Sequence, residues 1–192
     1  MMCLHLLFHK VITNNREAGK QAVERLAESG CKNIAFASAI SHLKVSQDLL
    51  KGYHDGIHNL GRTVNDNQIV NAQEDHYSGY EDMLKPLFSD NTIDGVVATN
   101  EGVALAAMKI ALKQGKIIPD DFSAIGFTNG ILARHSNPKL TTVSQHGEIM
   151  GTTAAEMLIN RLENPDVEKD FKTIVIKTDI VERNSTRPLT VY

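Results

Sequence analysis

Amide and hydroxyl side chains are the candidate binding groups of this sequence. They are concentrated in four short segments, residues 38–46, 73–76, 99–101 and 128–130. Their polar members are Ser41, Ser46, Gln73, Thr99, Asn100, Thr128 and Asn129. Such groups both donate and accept hydrogen bonds, which suits the hydroxyls of a neutral sugar or polyol. The same residue types also cap helices, so both interpretations are open.

Motifs of the common enzyme classes are absent from the sequence. Neither a glycine-rich phosphate loop nor the GxSxG nucleophile elbow occurs. His54 and His58 are four residues apart, but Asp55 stands where a zinc metalloprotease needs glutamate, so a solvated helix face is expected. Cys31 has no CxxC partner and His146 has no identifiable nucleophile beside it. We therefore predict no catalysis, no cofactor and no metal.

Helical and strand-like segments that could position these groups alternate along the chain. Helical stripes cover residues 17–29, 49–60, 80–88, 101–114 and 147–163. Short apolar runs lie at residues 33–38, 68–72, 94–99, 123–128 and 140–143, residues 130–139 form a predicted loop, and residues 172–181 are strand-like. This spacing predicts an α/β, doubly wound, mostly parallel sheet with helices on both faces. In such sheets ligands bind beyond the carboxyl ends of the strands, where the candidate binding groups lie.

Composition limits the classes of partner. The chain has 192 residues, of which 42% are hydrophobic and 22% charged, with a formal net charge of −3. This balance gives no basic footprint for nucleic acid, and no apolar run is long enough to span a membrane. Residues 1–10 lack the features of a signal peptide and look like the end of a strand from a preceding element. We therefore predict a cytoplasmic protein.

Several segments in a fixed order resemble one known family. They are VITNNREAGKQAVERLAESGCKNIAF (11–36), LLKGYHDGI (49–57), SGY (78–80), the run from DGVVATNE to GFTNG (94–130), NPKLTTVSQHGEIMGTTAAEMLINRLE (137–163) and DIVERNST (179–186). Together they are similar to the effector-binding core of lac-repressor (LacI) family transcriptional regulators. That family has the fold of type I periplasmic sugar-binding proteins.

The resemblance implies a division of the chain, essentially into one subdomain. Residues 11–145 match the carboxyl-terminal core subdomain, and residues 146–165 match a helix that returns to the amino-terminal core subdomain. Residues 166–192 match the closing strands and tail, and residues 1–10 are a remnant of a preceding element. The family's DNA-binding headpiece and most of its amino-terminal subdomain have no counterpart here. The resemblance therefore implies an effector-sensing portion that contacts DNA only through a headpiece this chain lacks.

The resemblance also implies ligand contacts, position by position. Asn100 keeps the asparagine of the family's asparagine–aspartate pair. Thr128 stands where the family usually has a ligand-binding aspartate, and Leu49 stands where it usually has an arginine. The full set of implied ligand-binding positions is Ser46, Leu49, Asn100, Glu101, Thr128 and Asn129. Loss of two charged anchors implies either a less polar ligand or no ligand.

Family dimers imply a second set of positions. These are Leu105, Met108, Leu132, His135 and Ser136. Leu105 and Met108 fit a core position equally well. The leading interpretation is thus the sugar-sensing, dimerising part of a transcriptional regulator, and the alternative is the solute-binding protein of a sugar transporter. An α/β enzyme with an unusual site has no support from the motifs.

Overall fold

The computed structural model describes residues 8–71, 79–89, 91–164 and 171–189. Its main sheet has six strands among these residues, which are β2 (Ile34–Ser38), β3 (Ile69–Asn71), β4 (Gly95–Ala98), β5 (Ser123–Thr128), β6 (Thr141–Ser144) and β8 (Asp179–Val181). Their order in the sheet is β3-β2-β4-β5-β6-β8. Neighbouring strands run parallel, except that β8 is antiparallel to β6.

The described residues form six α-helices. They are α1 (Asn15–Glu28), α2 (Lys44–Asn59), α3 (Tyr80–Leu84), α4 (Glu101–Lys113), α5 (Ile131–His135) and α6 (Gly147–Glu163). Short 3-10 turns span Asp66–Gln68 and Lys85–Phe88. Ile34 and Phe36 of β2 belong to the apolar cluster of α1 and α2, whereas Ala35 and Ala37 belong to that of α3 and α4. The strands are apolar at consecutive positions because both faces of the sheet are covered.

The helices α1 and α2 lie in unusually close contact through glycines. A Cβ atom on Gly52 would lie 2.0 Å from the carbonyl oxygen of Arg16, and one on Gly19 would lie 2.5 Å from that of Leu49. Neither distance is possible for a real side chain. The glycines therefore allow the two backbones to touch, which fixes α2 against α1.

A second, smaller layer lies apart from the main sheet. Strand β1 (Lys10–Thr13) pairs in parallel with β7 (Thr173–Ile176), and α6 packs against β1. None of the residues of α6 is buried, and Leu158, Ile159 and Leu162 are more than half exposed. A helix with so much exposed apolar surface packs less tightly than the helices of the main sheet.

The chain crosses between the two layers three times, near residues 13–15, 144–147 and 176–179. Side chains join these crossings. The Oδ1 atom of Asn14 accepts hydrogen bonds from the backbone N–H and the hydroxyl of Thr178, at 2.8 and 3.0 Å. Gln145 donates through Nε2 to Oδ1 of Asn15 at 3.2 Å. The connection between the layers is therefore polar and narrow.

The predicted α/β architecture is confirmed, and three local expectations change. Residues 130–139 were expected to be a loop, but they contain the helix α5. The strand-like segment 172–181 is two strands that belong to different sheets, because the chain crosses between layers after Ile176. The boundary expected at residue 11 falls inside β1, so residues 11–13 lie in the smaller layer. Of the segment 1–10 that is predicted to be the end of a strand, Lys10 begins β1 and residues 1–7 lie outside the described residues, as does the candidate segment 73–76.

Candidate ligand-binding site

The carboxyl ends of β2, β4, β5 and β6 form one edge of the main sheet, which we call the carboxyl edge. A cavity of about 600 Å³ opens there. We call it the outer cleft, and its walls are Ile40, Tyr80, Asn100, Glu101, Gly102, Leu105, Thr128 and Leu132. Three of the six predicted ligand-binding residues therefore line one cleft: Asn100, Glu101 and Thr128.

Asn100 is the amino-terminal cap of α4. Its Oδ1 atom accepts a hydrogen bond from the backbone N–H of Val103 at 2.8 Å. This contact satisfies one of the free N–H groups in the first turn of the helix. The capping role considered from the sequence is thus present, and only the NH₂ group of the amide is left for a ligand.

Glu101 is buried and serves the loop that follows β5. Its carboxylate accepts hydrogen bonds from the backbone N–H groups of Gly130 and Ala133, the latter at 3.3 Å. It is 7% exposed. The carboxylate therefore holds the start of α5 in position.

Thr128 and Asn129 have strained backbones. Their φ angles are 109° and 64°, in the left-handed region that few residues other than glycine adopt. Oδ1 of Asn129 accepts hydrogen bonds from Arg183 at 2.5 Å and from Thr142 at 3.4 Å. Its amide oxygen is thus directed to the neighbouring strand, and the residue is not among those that line the outer cleft. Strain of this kind often collects at functional sites.

Ser46 and Leu49 do not reach the outer cleft. Leu49 is 1% exposed and packs in the core between α1 and α2, and Ser46 is 5% exposed in the first turn of α2. The leucine at the position of the family's arginine is therefore a core residue. A polar side chain in place of Leu49 would have to be buried.

The predicted dimer positions also divide between surface and core. Leu105 and Leu132 line the outer cleft, and His135 is exposed. Met108 is 3% exposed and belongs to the core, which is the alternative to a dimer position that the sequence leaves open. The hydroxyl of Ser136 is used locally, since it donates to the carbonyl of Ala133 and accepts from the N–H of Leu140.

A second cavity, of about 480 Å³, lies between the two layers. We call it the inter-layer cleft, and its walls are Lys10, Val11, Ile12, Thr13, Asn15, Lys44, Val45, Asp48, Gln145 and Met150. Thr13 donates to Oδ1 of Asn15 at 2.7 Å, and Gln145 donates to the same atom. The residues predicted from the sequence do not include this site. Gln145, which follows β6 at the same carboxyl edge, is the residue that indicates it in the sequence.

Other reactive side chains are occupied or remote. Burial, with a smaller contribution from Asp94, raises the pKa of the Cys31 thiol to about 11, so the nucleophilic thiolate is scarce at neutral pH. His54 and His58 are exposed on α2. His146 contacts the carboxylate of Asp179 at the crossing between the layers. Within the described ranges, no group of three histidine, cysteine or acidic side chains is arranged to hold a metal ion.

One protein family and several curated proteins match this chain. A family described as the periplasmic binding protein-like domain matches residues 23–186. The chain belongs to that family. It is 28% identical over 180 residues to the curated protein "Probable HTH-type transcriptional repressor ExuR" of Bacillus subtilis. It is 26% identical over 172 residues to the HTH-type transcriptional regulator CelR of Thermobifida fusca and 27% identical over 176 residues to the ribose operon repressor of Haemophilus influenzae.

These alignments cover 94%, 90% and 92% of the chain but 54%, 50% and 52% of the relatives. The chain thus spans about half the length of the curated relatives it matches. The relatives are transcriptional regulators, which confirms the resemblance to the lac-repressor family.

Solved structures of transcriptional regulators share the fold. The complex of the regulator CelR with cellobiose superposes with a TM-score of 0.85 at 24% identity, over 93% of this chain and 54% of that one. A LacI family regulator from Enterococcus faecium with bound ribose gives a TM-score of 0.83 at 24% identity, over 95% of this chain and 67% of that one. Of the helices the structure describes, none combines the length and apolar character needed to cross a membrane.

Proposed function

We propose that this chain is the effector-sensing portion of a LacI-type transcriptional regulator and acts by binding a small hydroxylated molecule. The observation that carries the proposal is the inter-layer cleft, whose walls come from both layers of the fold. A ligand that contacts both walls favours one arrangement of the layers over others. Binding can then be transmitted as a change in the angle between them.

The polar groups of the inter-layer cleft suit such a ligand. The hydrogen bond between Gln145 and Asn15 uses one atom of each amide, which leaves the carbonyl of Gln145 and the NH₂ group of Asn15 for ligand hydroxyls. Asn100 and Thr128 stay predicted contacts at the outer cleft. The relatives named as repressors favour a regulator over the solute-binding protein of a transporter. We accordingly propose a cytoplasmic, non-catalytic protein.

The experiment is calorimetric titration of the purified chain with ribose, cellobiose and a panel of other sugars and sugar derivatives. We expect at least one to bind, and to raise the melting temperature in proportion to its concentration. Gln145→Leu should then abolish binding, whereas Thr128→Val should do so only if the ligand occupies the outer cleft. A chain that binds nothing in the panel would contradict the proposal.

We also propose a homodimer formed through the rim of the outer cleft. Ile131 and Leu132 of α5 are 72% and 52% exposed, and Leu132 lines the outer cleft together with Leu105. Exposed apolar groups of this kind mark contact surfaces. Light scattering should give the mass of two chains, and Leu132→Asp should give one. A wild-type monomer at high concentration would contradict the dimer.

We propose that a headpiece outside this chain recognises DNA. The net charge of −3 offers little attraction to phosphates. The purified chain should therefore give no sequence-specific shift of DNA in a gel at moderate salt.

A further inference from the structure

We propose that the ligand of the inter-layer cleft is a sugar that carries an anionic group, a carboxylate or a phosphate. This inference rests on the function proposed above and adds a ligand class to it. The relatives solved with cellobiose and ribose hold neutral sugars. The cleft of this chain has a charge pattern that a neutral sugar would leave unused.

The charged groups of the inter-layer cleft are mostly cationic. Two lysines, Lys10 and Lys44, and one acid, Asp48, belong to its walls. Asp48 is already shared, because it contacts Lys44 and also lies 3.9 Å from the ammonium of Lys51. The walls therefore hold two cations and one acid, and Asp48 neutralises part of the charge of Lys44 but is not paired with Lys10.

Lys10 is the lysine of the cleft that can pair with an anionic ligand group. Its ammonium lies 4.9 Å from the centre of the Phe8 ring, a cation–π contact that stabilises the charge without neutralising it. Among the described residues, no carboxylate lies within ion-pair distance of Lys10. Both lysines line the cleft, so an anionic ligand group bound there would be attracted by Lys10 and would share Lys44 with Asp48.

The remaining walls suit the body of a sugar. Val11, Ile12, Val45 and Met150 supply apolar surface for the C–H groups of a ring. The free amide atoms around Gln145 supply hydrogen bonds for its hydroxyls. A simple carboxylic acid would use only the cations and a neutral sugar only the remainder, so a sugar with an anionic group uses the whole cleft.

The structure does not favour one anion over the other. Lysine ammonium groups act as point charges and bind both carboxylates and phosphates, whereas arginine pairs would select by planar geometry. The shared chemistry is therefore a hydroxylated organic anion. The probes must separate its two forms.

The experiment is calorimetric titration of the full chain with glucuronate, galacturonate, glucose 6-phosphate, glucose, galactose and propionate at low and at physiological salt. We expect a uronate or the sugar phosphate to bind at least tenfold more tightly than the matching neutral sugar and than propionate. Higher salt should weaken this binding, because the lysines are solvent-accessible. Lys44→Gln should weaken it about tenfold, the effect of one charge-assisted contact.

Lys85→Gln is the matched control variant. Lys85 is as exposed as Lys44 and pairs with Asp82 within one helical turn, far along the chain from the inter-layer cleft. It removes the same charge and should leave affinity unchanged. Equal weakening by both variants would show a nonspecific charge effect and overturn the inference.

The other outcomes separate the two proposals. If neutral sugars bind as well as their anionic counterparts, the anionic class is wrong and the proposed function stands. If propionate binds as tightly as the uronates, the sugar part is wrong. If no probe binds at all, and the broader sugar panel also fails, the proposed function fails together with this inference.

Discussion

Arg25 illustrates how single side chains hold distant parts of this chain together. It is 4% exposed, and its guanidinium donates to both carboxylate oxygens of Glu182, at 2.5 and 2.8 Å. It also donates to the hydroxyl of Ser29 and to the carbonyl of Arg187, each at 2.5 Å. A buried guanidinium with all these acceptors joins α1 to the segment that follows β8.

Replacement of Arg25 should therefore destabilise the fold. Arg25→Met keeps the apolar stem but removes four hydrogen bonds. The carboxylate of Glu182 is 47% exposed and can be rehydrated, so we expect a loss of about 2–3 kcal/mol rather than the larger cost of a fully buried unpaired charge. Urea denaturation measures the difference.

Arg16→Met is the matched control on the same helix. Arg16 pairs with Asp55 at 2.6 Å, but its side chain is 64% exposed, so its removal should cost clearly less stability than that of Arg25. If the two variants have equal stability, the contacts of Arg25 contribute no more than an ordinary surface pair.

At the scale of elements, the contact between α1 and α2 depends on the absence of side chains. Gly52→Ala should force the two helices apart, because its Cβ would lie 2.0 Å from a backbone oxygen that cannot rotate away. We expect a loss of about 3 kcal/mol in the free energy of unfolding. Chemical denaturation measures it.

The control is the same substitution in another helix. Gly151 lies in α6, and a Cβ there would meet nothing within 4 Å. Gly151→Ala should stabilise the chain by up to about 1 kcal/mol, since alanine favours helix more than glycine does. A Gly52→Ala protein as stable as wild type would show that the helices can move apart freely.

A second contact between elements predicts a pH dependence. Glu81 of α3 is bonded to Lys109 and Lys113 of α4, which lowers its pKa to about 2. A lowered folded-state pKa gives stability that is complete above the unfolded value near 4.5 and is lost as the pH falls towards 2.

Glu81→Gln should therefore destabilise the chain at neutral pH, and the difference from wild type should shrink as the pH falls from 4.5 to 2. Thermal denaturation across this range measures it. A difference for Glu81→Gln that does not change with pH would contradict the prediction.

At the scale of the whole molecule, the two layers differ in how well they are packed. Helix α1 has six buried residues, whereas α6 has none. The β1–β7 pair has only two strands, which gives little stability alone. The smaller layer should therefore open more readily than the main sheet, which suits a layer that moves when ligand binds.

Hydrogen exchange measures this difference directly. Amides in α6 should exchange at least tenfold faster than those in α1, a helix of similar length against the main sheet. A ligand that bridges the inter-layer cleft should slow exchange in α6 by a larger factor than in α1. Equal protection of the two helices would contradict the division into a stable and a less stable layer.

The sequence alone determined the local elements. The apolar period of 3.6 along residues such as Ala18, Ala22 and Leu26 predicts a helix, and solid apolar runs such as IAFAS predict buried parallel strands. The structure contains the helix and the strand that these patterns predict, because each pattern depends on neighbours within a few residues. The short helix α5 is not predicted from the sequence, because its start is held by Glu101, which lies 29 residues before Gly130.

The tertiary structure alone decided which polar groups share a cavity. Leu49 and Met108 occupy positions that the resemblance assigned to a ligand and a dimer, but packing puts both in the core. The inter-layer cleft brings Asn15 and Gln145 together across 130 residues of chain. Local sequence cannot predict such a meeting, since it depends on where three separate crossings bring the two layers side by side.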